Sequence, residues 1–198
     1  GEDTALHVGW LDGQPVAVGW LVAEGGLEER VVADILRGRR LRGQVLPETL
    51  CSHGGHPEAG ALRMWRSVRT AVHPALRRRG LARQLVEWEH GVHREADLLG
   101  TAFGATPELL RFRRSLGYRL VRLGVSRSAR TGVPSAVMLW PRSEAAHRLV
   151  ESLRGELARD LPAQLVPKRG GGLQFWRRRF AVLARNPWAA RNGAMQPW

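Results

Sequence analysis

The sequence predicts an α/β protein, a mixed central sheet with helices packed on it. Three observations carry that reading. Met64 to Val72 has the composition of a strand and runs straight into His73-Pro74. Leu81, Leu85, Trp88 and Val92 then recur at helical spacing, which starts a helix at or near Ala82. Further on, Asp97 to Phe103 reads as a strand, Thr106-Pro107-Glu108 opens another helix, and Tyr118 to Ser126 and Ser135 to Trp140 are two more strands.

The elements follow in order. Ala5 to Leu11 and Val16 to Ala23 are strand-like, and the Asp12-Gly13 between them is a hairpin signal. Leu27 to Leu36 has a helical pattern, with Glu28 and Glu29 early and Arg37, Arg39, Arg40 and Arg42 at its end, as the macrodipole prefers. That arginine cluster either caps the helix in solvent or touches RNA. Val45 to Gly60 is too broken for a long element. His53 and His56 invite a metal or a catalytic base, but their spacing matches no common metal site, so no metal is expected and His53 stands only as a weak candidate base. One cysteine, Cys51, excludes an internal disulfide, and nothing around it marks an activated thiol.

Between the central strand and its helix lies Arg77-Arg78-Arg79-Gly80-Leu81-Ala82. Such a loop leaves first-turn N–H groups without helical partners, and the dipole favours an anion over them. Gly80 and the small Ala82 let a ligand approach the backbone, and three arginines add charge. These residues suit a pyrophosphate. In the later helix Thr106 is the expected N-cap, Pro107 the first helical residue and Glu108 a first-turn acid. Leu109, Phe112 and Leu116 form its predicted buried stripe, and Gly117 its end. Ser143 caps a last helix, 143–160, whose Ala146, Leu149, Val150, Leu153 and Leu157 share one face.

The 198 residues suit one domain with an appendage, and a formal charge of +13 suggests a polyanionic partner, nucleic acid first. Lys168 is the one lysine among 31 basic residues. No apolar run is long enough to span a bilayer and no signal peptide is visible, so a soluble cytoplasmic protein without a membrane partner is expected. The chain opens at Gly1, close to its first strand, and reads as a piece of something longer. Residues 161–198 carry no acid, and basic residues interleave with Phe175, Trp176, Trp188 and Trp198. That tail is either poorly ordered or an RNA contact.

The Arg-x-x-Gly-x-Ala run after a strand and His-Pro resembles the coenzyme A signature of the GCN5-related N-acetyltransferases. Within that superfamily, Leu46-Pro47-Glu48-Thr49-Leu50, Val72-His73-Pro74 and above all Gly104-Ala105-Thr106-Pro107-Glu108-Leu109-Leu110-Arg111-Phe112 resemble the tRNA(Met) cytidine acetyltransferase family. The likeness implies an acetyltransferase domain over residues 1–142 that lacks the fold's first strand and helices. It implies acetyl-CoA contacts at Thr70, Ala71 and Val72, at Arg77, Arg78, Arg79, Gly80, Leu81, Ala82 and Arg83, and at Glu108. A further family contact is basic where this chain has Ser115, and Arg111 or Arg114 is a substitute. Many relatives place an acidic tyrosine where this chain has Arg113; with that route closed, Glu108 and His73 are weak candidates for proton transfer. The implied activity is N4-acetylation of the wobble cytidine of elongator tRNA(Met), reached in the splayed anticodon loop, with Trp65 as a candidate stacking group. Trp88 fits the core stripe better. ATP and Mg would act only through an upstream helicase-like module absent from this chain. Two alternatives stay open: the same fold acting on a protein or small-molecule amine, and a non-catalytic RNA-binding fragment.

Overall fold

The computed structural model describes residues 4–127 and 132–164. Beyond Gln164 the basic tail lies outside the described residues. Strands β1 (Thr4–Leu11) and β2 (Gln14–Gly25) form the expected hairpin, with Asp12 and Gly13 both at positive φ. That is the backbone a tight two-residue turn requires. Helix α1 (Glu29–Leu36) follows, then a short helix α2 (Val45–Glu48) that widens into a π-type turn through His53. The stretch read as too broken for a long element thus carries these two short helical segments and a 3₁₀ turn at Pro57–Ala61. They place Leu46, Leu50 and Cys51 in the core. Strand β3 (Arg63–Val72), helix α3 (Leu81–Val92), strand β4 (Leu98–Gly104) and helix α4 (Pro107–Ser115) come next. Strands β5 (Arg119–Arg127) and β6 (Pro134–Pro141) and helix α5 (Glu144–Gln164) complete the described chain.

The six strands run in the order β1-β2-β3-β4-β6-β5, and only β3 and β4 are parallel neighbours. This is the mixed, helix-flanked sheet that the resemblance to GCN5-related N-acetyltransferases implies. Each face buries its own core. On one, α1, the α2 segment and α5 bring Ile35, Leu46, Leu50, Leu149 and Val150 against Met64, Leu98 and Leu139. On the other, α3 and α4 bring Val86 and Leu110 against Leu21, Leu99 and Met138. A fully buried leucine contributes about 2 kcal/mol, so either face is a substantial core. Among the described residues no helix is long and apolar enough to cross a membrane.

Helix ends follow the sequence closely. Thr106 accepts the Leu109 N–H, Ser143 accepts the Ala146 N–H, and Gly117 takes the left-handed conformation past α4. The buried stripes follow it only in part. On α3 the buried residues are Leu85, Val86 and Glu89, while Trp88 is 54% exposed and Val92 is exposed. On α4 Leu110, Arg113 and the expected Leu116 are buried and Phe112 packs half-buried against the core, while Leu109 is exposed. Both stripes depart from the expected ones because the faces that meet the sheet include a charged side chain, which an apolar-period reading assigns to solvent.

His56 ties α5 to the rest of the domain. Its ring lies between Glu58 Oε1 at 2.7 Å and Glu156 Oε1 at 2.9 Å. Burial alone would lower its pKa, but the two carboxylate hydrogen bonds and charges together hold it above the ordinary histidine value. A raised folded-state pKa stabilises the fold below the unfolded value, and that contribution is lost as pH rises through the folded value. His56→Gln is therefore expected to cost about 1–2 kcal/mol in mildly acidic solution and less at alkaline pH. Thermal denaturation of both proteins across that range checks this, and a pH-independent difference would contradict it.

Candidate functional site

Strands β3 and β4 are paired only from Met64↔Leu98 to Ser67↔Thr101, yet both continue. The β2–β3 register shows why they part. Leu21 faces Ser67 and Trp20 faces Arg69, which leaves Val68 as the extra residue of a bulge. A bulge bends its strand and adds twist. Past it, residues 69–72 pair only with β2 and residues 102–104 only with β6. The inner edges of both strands therefore present unpaired backbone groups to a V-shaped gap. Thr101 Oγ1 donates to the Ser67 carbonyl at 3.2 Å and closes the base of that fork. The bulge also turns Ser67 and Thr70 to the same face of the sheet, with their hydroxyls 3.4 Å apart.

The loop above the fork has the form the sequence suggests. After Val72 the chain makes one short turn at Pro74–Leu76, Arg77 is extended, and Arg78 and Gly80 have positive φ of 62° and 87°. Gly80 caps α3 in a backbone state that costs other residues strain, and its carbonyl accepts the Gln84 N–H. The first-turn N–H groups of α3 thus open beyond Gly80, as an anion requires. Arg77, Arg78 and Arg79 are exposed, and none has an ion-pair partner among the described residues. Three exposed guanidinium groups around a helix N-terminus make this end of α3 strongly electropositive.

Thr70, Ala71 and Val72 lie on the free edge of the fork, continuous with residues 77–83. Arg83 reaches α4, donating to Ser115 Oγ at 2.6 Å and to the Ser115 carbonyl at 3.3 Å, and pairs with Glu87 at 3.1 Å. A positive charge therefore stands at Ser115, supplied from α3. Arg111 is exposed and lies 3.5 Å from Glu108 across one helical turn. Glu108 is exposed in the first turn of α4. His73 is exposed at the end of β3, where its N–H donates to the Val16 carbonyl. His53 belongs to another neighbourhood: it lines a shallow cavity of about 190 Å³ with Ile35, Arg39, Arg40 and Glu48. Asp34 pairs with Arg37 and Arg39 nearby. Trp65 is half-buried, donating to Glu95 and lying against His93. The Cys51 thiol is buried, and burial pushes its pKa up.

A buried polar row beneath the fork was not legible in the sequence. His7, Gly19 and Thr70 are cross-strand neighbours on β1, β2 and β3. Glu89, 1% exposed, fills the space that Gly19 leaves; a Cβ there would come within 1.8 Å of Glu89 Oε1. His7 Nδ1 is 3.6 Å from that oxygen. Burial raises the Glu89 pKa to about 7 against the opposing pull of the Arg113 charge. Arg113, 7% exposed, donates to Ser67 Oγ at 3.0 Å and Thr70 Oγ1 at 3.3 Å. Behind it, His90 stacks on Trp140 and shares a hydrogen bond with the Tyr118 hydroxyl. Burial, helped by Arg113 and Arg142, lowers the His90 pKa to about 4. Burial likewise raises Tyr118 to about 12. The one signal in the sequence is Glu89 itself, an acid i+4 from Leu85 on the helix's apolar face.

No protein-family model matches the chain. It is 40% identical to the tRNA(Met) cytidine acetyltransferase of Nitrosococcus halophilus over 172 residues, 84% of this chain and 23% of that protein. It is also 40% identical to that of Haloarcula marismortui over 141 residues, 70% of this chain and 18% of that protein. The ribosomal-protein-S18-alanine N-acetyltransferase from Escherichia coli superposes with a TM-score of 0.46 at 15% identity, covering 73% of this chain and 74% of that one. That likeness is too weak to inform the site.

The buried row makes predictions that stability alone can test. Glu89 binds its proton more tightly in the folded chain than in the unfolded one, so it erodes stability as pH rises from about 4.5 to about 7. Relative to wild type, Glu89→Gln is expected to gain about 1–3 kcal/mol over that interval. Melting temperatures recorded at successive pH values check the sign; parallel curves would show that Glu89 is not held protonated. Gly19→Ala is expected to destabilise by about 1–3 kcal/mol, and Glu89→Ala in the same chain to relieve it.

Proposed function

We propose, from the premise that the chain belongs to the tRNA(Met) cytidine acetyltransferase family and spans about a fifth of its members' length, that it is the acetyl-transfer portion of an RNA cytidine N-acetyltransferase. The observation that carries this reading is the meeting of fork and cradle at one end of β3. A strand edge with unpaired backbone groups leads directly into a glycine-capped helix start ringed by unpaired arginines. Acetyl-CoA has the matching shape and charge. Its pyrophosphate suits residues 77–83, with Arg83 adding charge beside Ser115. Its thioester end then lies along Thr70 to Val72.

In this reading a backbone N–H of the free edge, at or near Val72, polarises the thioester carbonyl and holds the developing oxyanion. Much of the rate comes from positioning, because the pyrophosphate site fixes the donor relative to that donor group. The acceptor is the exocyclic N4 amine of a cytidine, and the wobble cytidine of elongator tRNA(Met) is the specific target. A lone pair delocalised into the ring makes that amine a weak nucleophile, so an unstacked base and a strongly held donor are both needed. The charge of +13 suits an RNA partner. Coupling to ATP, with Mg, belongs to a helicase-like module upstream, and the assembly works in the cytoplasm.

Calorimetric titration with acetyl-CoA, beside a Gly80→Glu variant, tests the donor site. The expected result is a dissociation constant in the micromolar range, weakened at least ~100-fold by the bulk and negative charge of the variant. A folded chain that binds no acetyl-CoA would overturn the acetyltransferase reading. Labelled acetyl transfer to tRNA, abolished by RNase, then tests the acceptor; transfer to a protein or small amine instead would replace RNA as the substrate.

A further inference from the structure

The fork holds one cation that the chemistry above does not use. Arg113 Nη2 donates to Ser67 Oγ and Thr70 Oγ1, the two hydroxyls that flank the bulge where β3 leaves β4. Its other terminal nitrogen, Nη1, is buried and makes no hydrogen bond of normal geometry among the described residues, although the guanidinium also interacts with the Tyr118 hydroxyl and holds back the rise of that group's pKa. An unmet donor on a buried guanidinium is costly, and an anionic ligand atom would satisfy it. The Phe112 and Tyr118 rings lie 5.8 Å and 5.2 Å from the guanidinium carbon.

The charges that face it leave it positive. From α3 it meets Glu89, held near pKa 7 by burial, and His90, lowered to about 4 and therefore neutral. From the segment after α4 it meets Tyr118, which stays protonated. His7 on β1 faces Glu89, and its pKa is lowered by burial and then by His93. Arg142, after β6, lies over Trp140 and bonds the His90 carbonyl. Around neutral pH Glu89 is incompletely ionised, so no full counter-charge answers Arg113.

We propose that Arg113 is the thiolate-binding group of the fork, a permanent cation that takes up the negative charge left on the coenzyme A sulfur as the acetyl group departs. This rests on the acetyl-CoA reading above. In the step, the acceptor nitrogen bonds to the acetyl carbon and the carbon–sulfur bond breaks. Sulfur keeps the bonding pair, and the nitrogen loses its proton to water. An arginine cannot act as an acid in proteins, so it gives the sulfur no proton and instead stabilises it as the thiolate. A charge-assisted hydrogen bond from a buried guanidinium is the strong form of that contact.

A bound coenzyme A thiol should then ionise at lower pH than the free thiol. The test is calorimetry of the whole chain with coenzyme A and with desulfo-coenzyme A from about pH 6 to about pH 9, for wild type, Arg113→Gln and Arg113→Lys. In wild type the preference for coenzyme A over the desulfo analogue should grow at least about tenfold across that range. Arg113→Gln should flatten that growth while binding the desulfo analogue within about threefold of wild type, and Arg113→Lys should retain part of it. An unchanged preference in Arg113→Gln would leave Arg113 only the role of holding Ser67 and Thr70. Should the variants not fold, the ultraviolet absorbance of the bound thiolate in wild type decides: titration at or above the free thiol's pH overturns the proposal. Absence of binding by both ligands would instead remove the acetyl-CoA reading, and this inference with it.

Discussion

Everything at the site depends on the bulge at Val68. Without it, β3 would stay paired with β4 along its whole length, and there would be no gap between them. One extra residue separates the strands after Ser67↔Thr101 and sets Ser67 and Thr70 on one face. It leaves β3 held by β2 alone up to the point where the arginine loop begins. The distortion is local, but it aligns a free backbone edge with the start of α3. A regular ladder offers no such edge, because its donors and acceptors are consumed by pairing.

The second constraint is the charge buried beneath that edge. Glu89 and Arg113 occupy inward positions on α3 and α4 where apolar side chains would pack more cheaply. Their accommodation involves several elements at once. Gly19 on β2 leaves the volume for a carboxylate, Ser67 and Thr70 accept from the guanidinium, and Phe112 and Tyr118 lie against it. Among the described residues neither Glu89 Oε1 nor Arg113 Nη1 makes a hydrogen bond of normal geometry. Buried polar groups of this kind rarely repay their desolvation through stability alone. Glu89 and Arg113 lie directly beneath the fork, where Arg113 holds Ser67 and Thr70 on either side of the bulge.

Charge on the outside is arranged differently. Among the described residues Arg77, Arg78 and Arg79 have no ion-pair partner around the start of α3, whereas Arg37 and Arg39 are tethered to Asp34 and Arg40 stands near Glu48. Two arginine clusters that look alike in the sequence thus differ in their readiness to bind an anion. Arg83 is a third case, spent on Ser115, and it brings to α4 the positive charge that α4 lacks at that position.

Local chemistry was legible wherever neighbours along the chain decide the outcome. Asp12-Gly13, Thr106-Pro107, Gly117, Ser143 and Arg77 to Ala82 each specify a turn or a cap through backbone conformations that only a few residues adopt readily. The succession of strands and helices, and with it the fold class, followed from those signals and from periodicity. Contacts between distant segments were not legible. Which α3 and α4 residues face the sheet was misjudged in part because Glu89 and Arg113 read as solvent-facing charges until Gly19, Ser67 and Thr70 are seen opposite them. The bulge at Val68 leaves no mark in the local sequence, since it exists only in the register between β2 and β3. The sequence therefore set the elements and the glycine-capped arginine loop, whose determinants lie within a few residues of each other. The tertiary structure alone decided the fork and the buried charges in it, because these arise from pairings across tens of residues that no local pattern encodes.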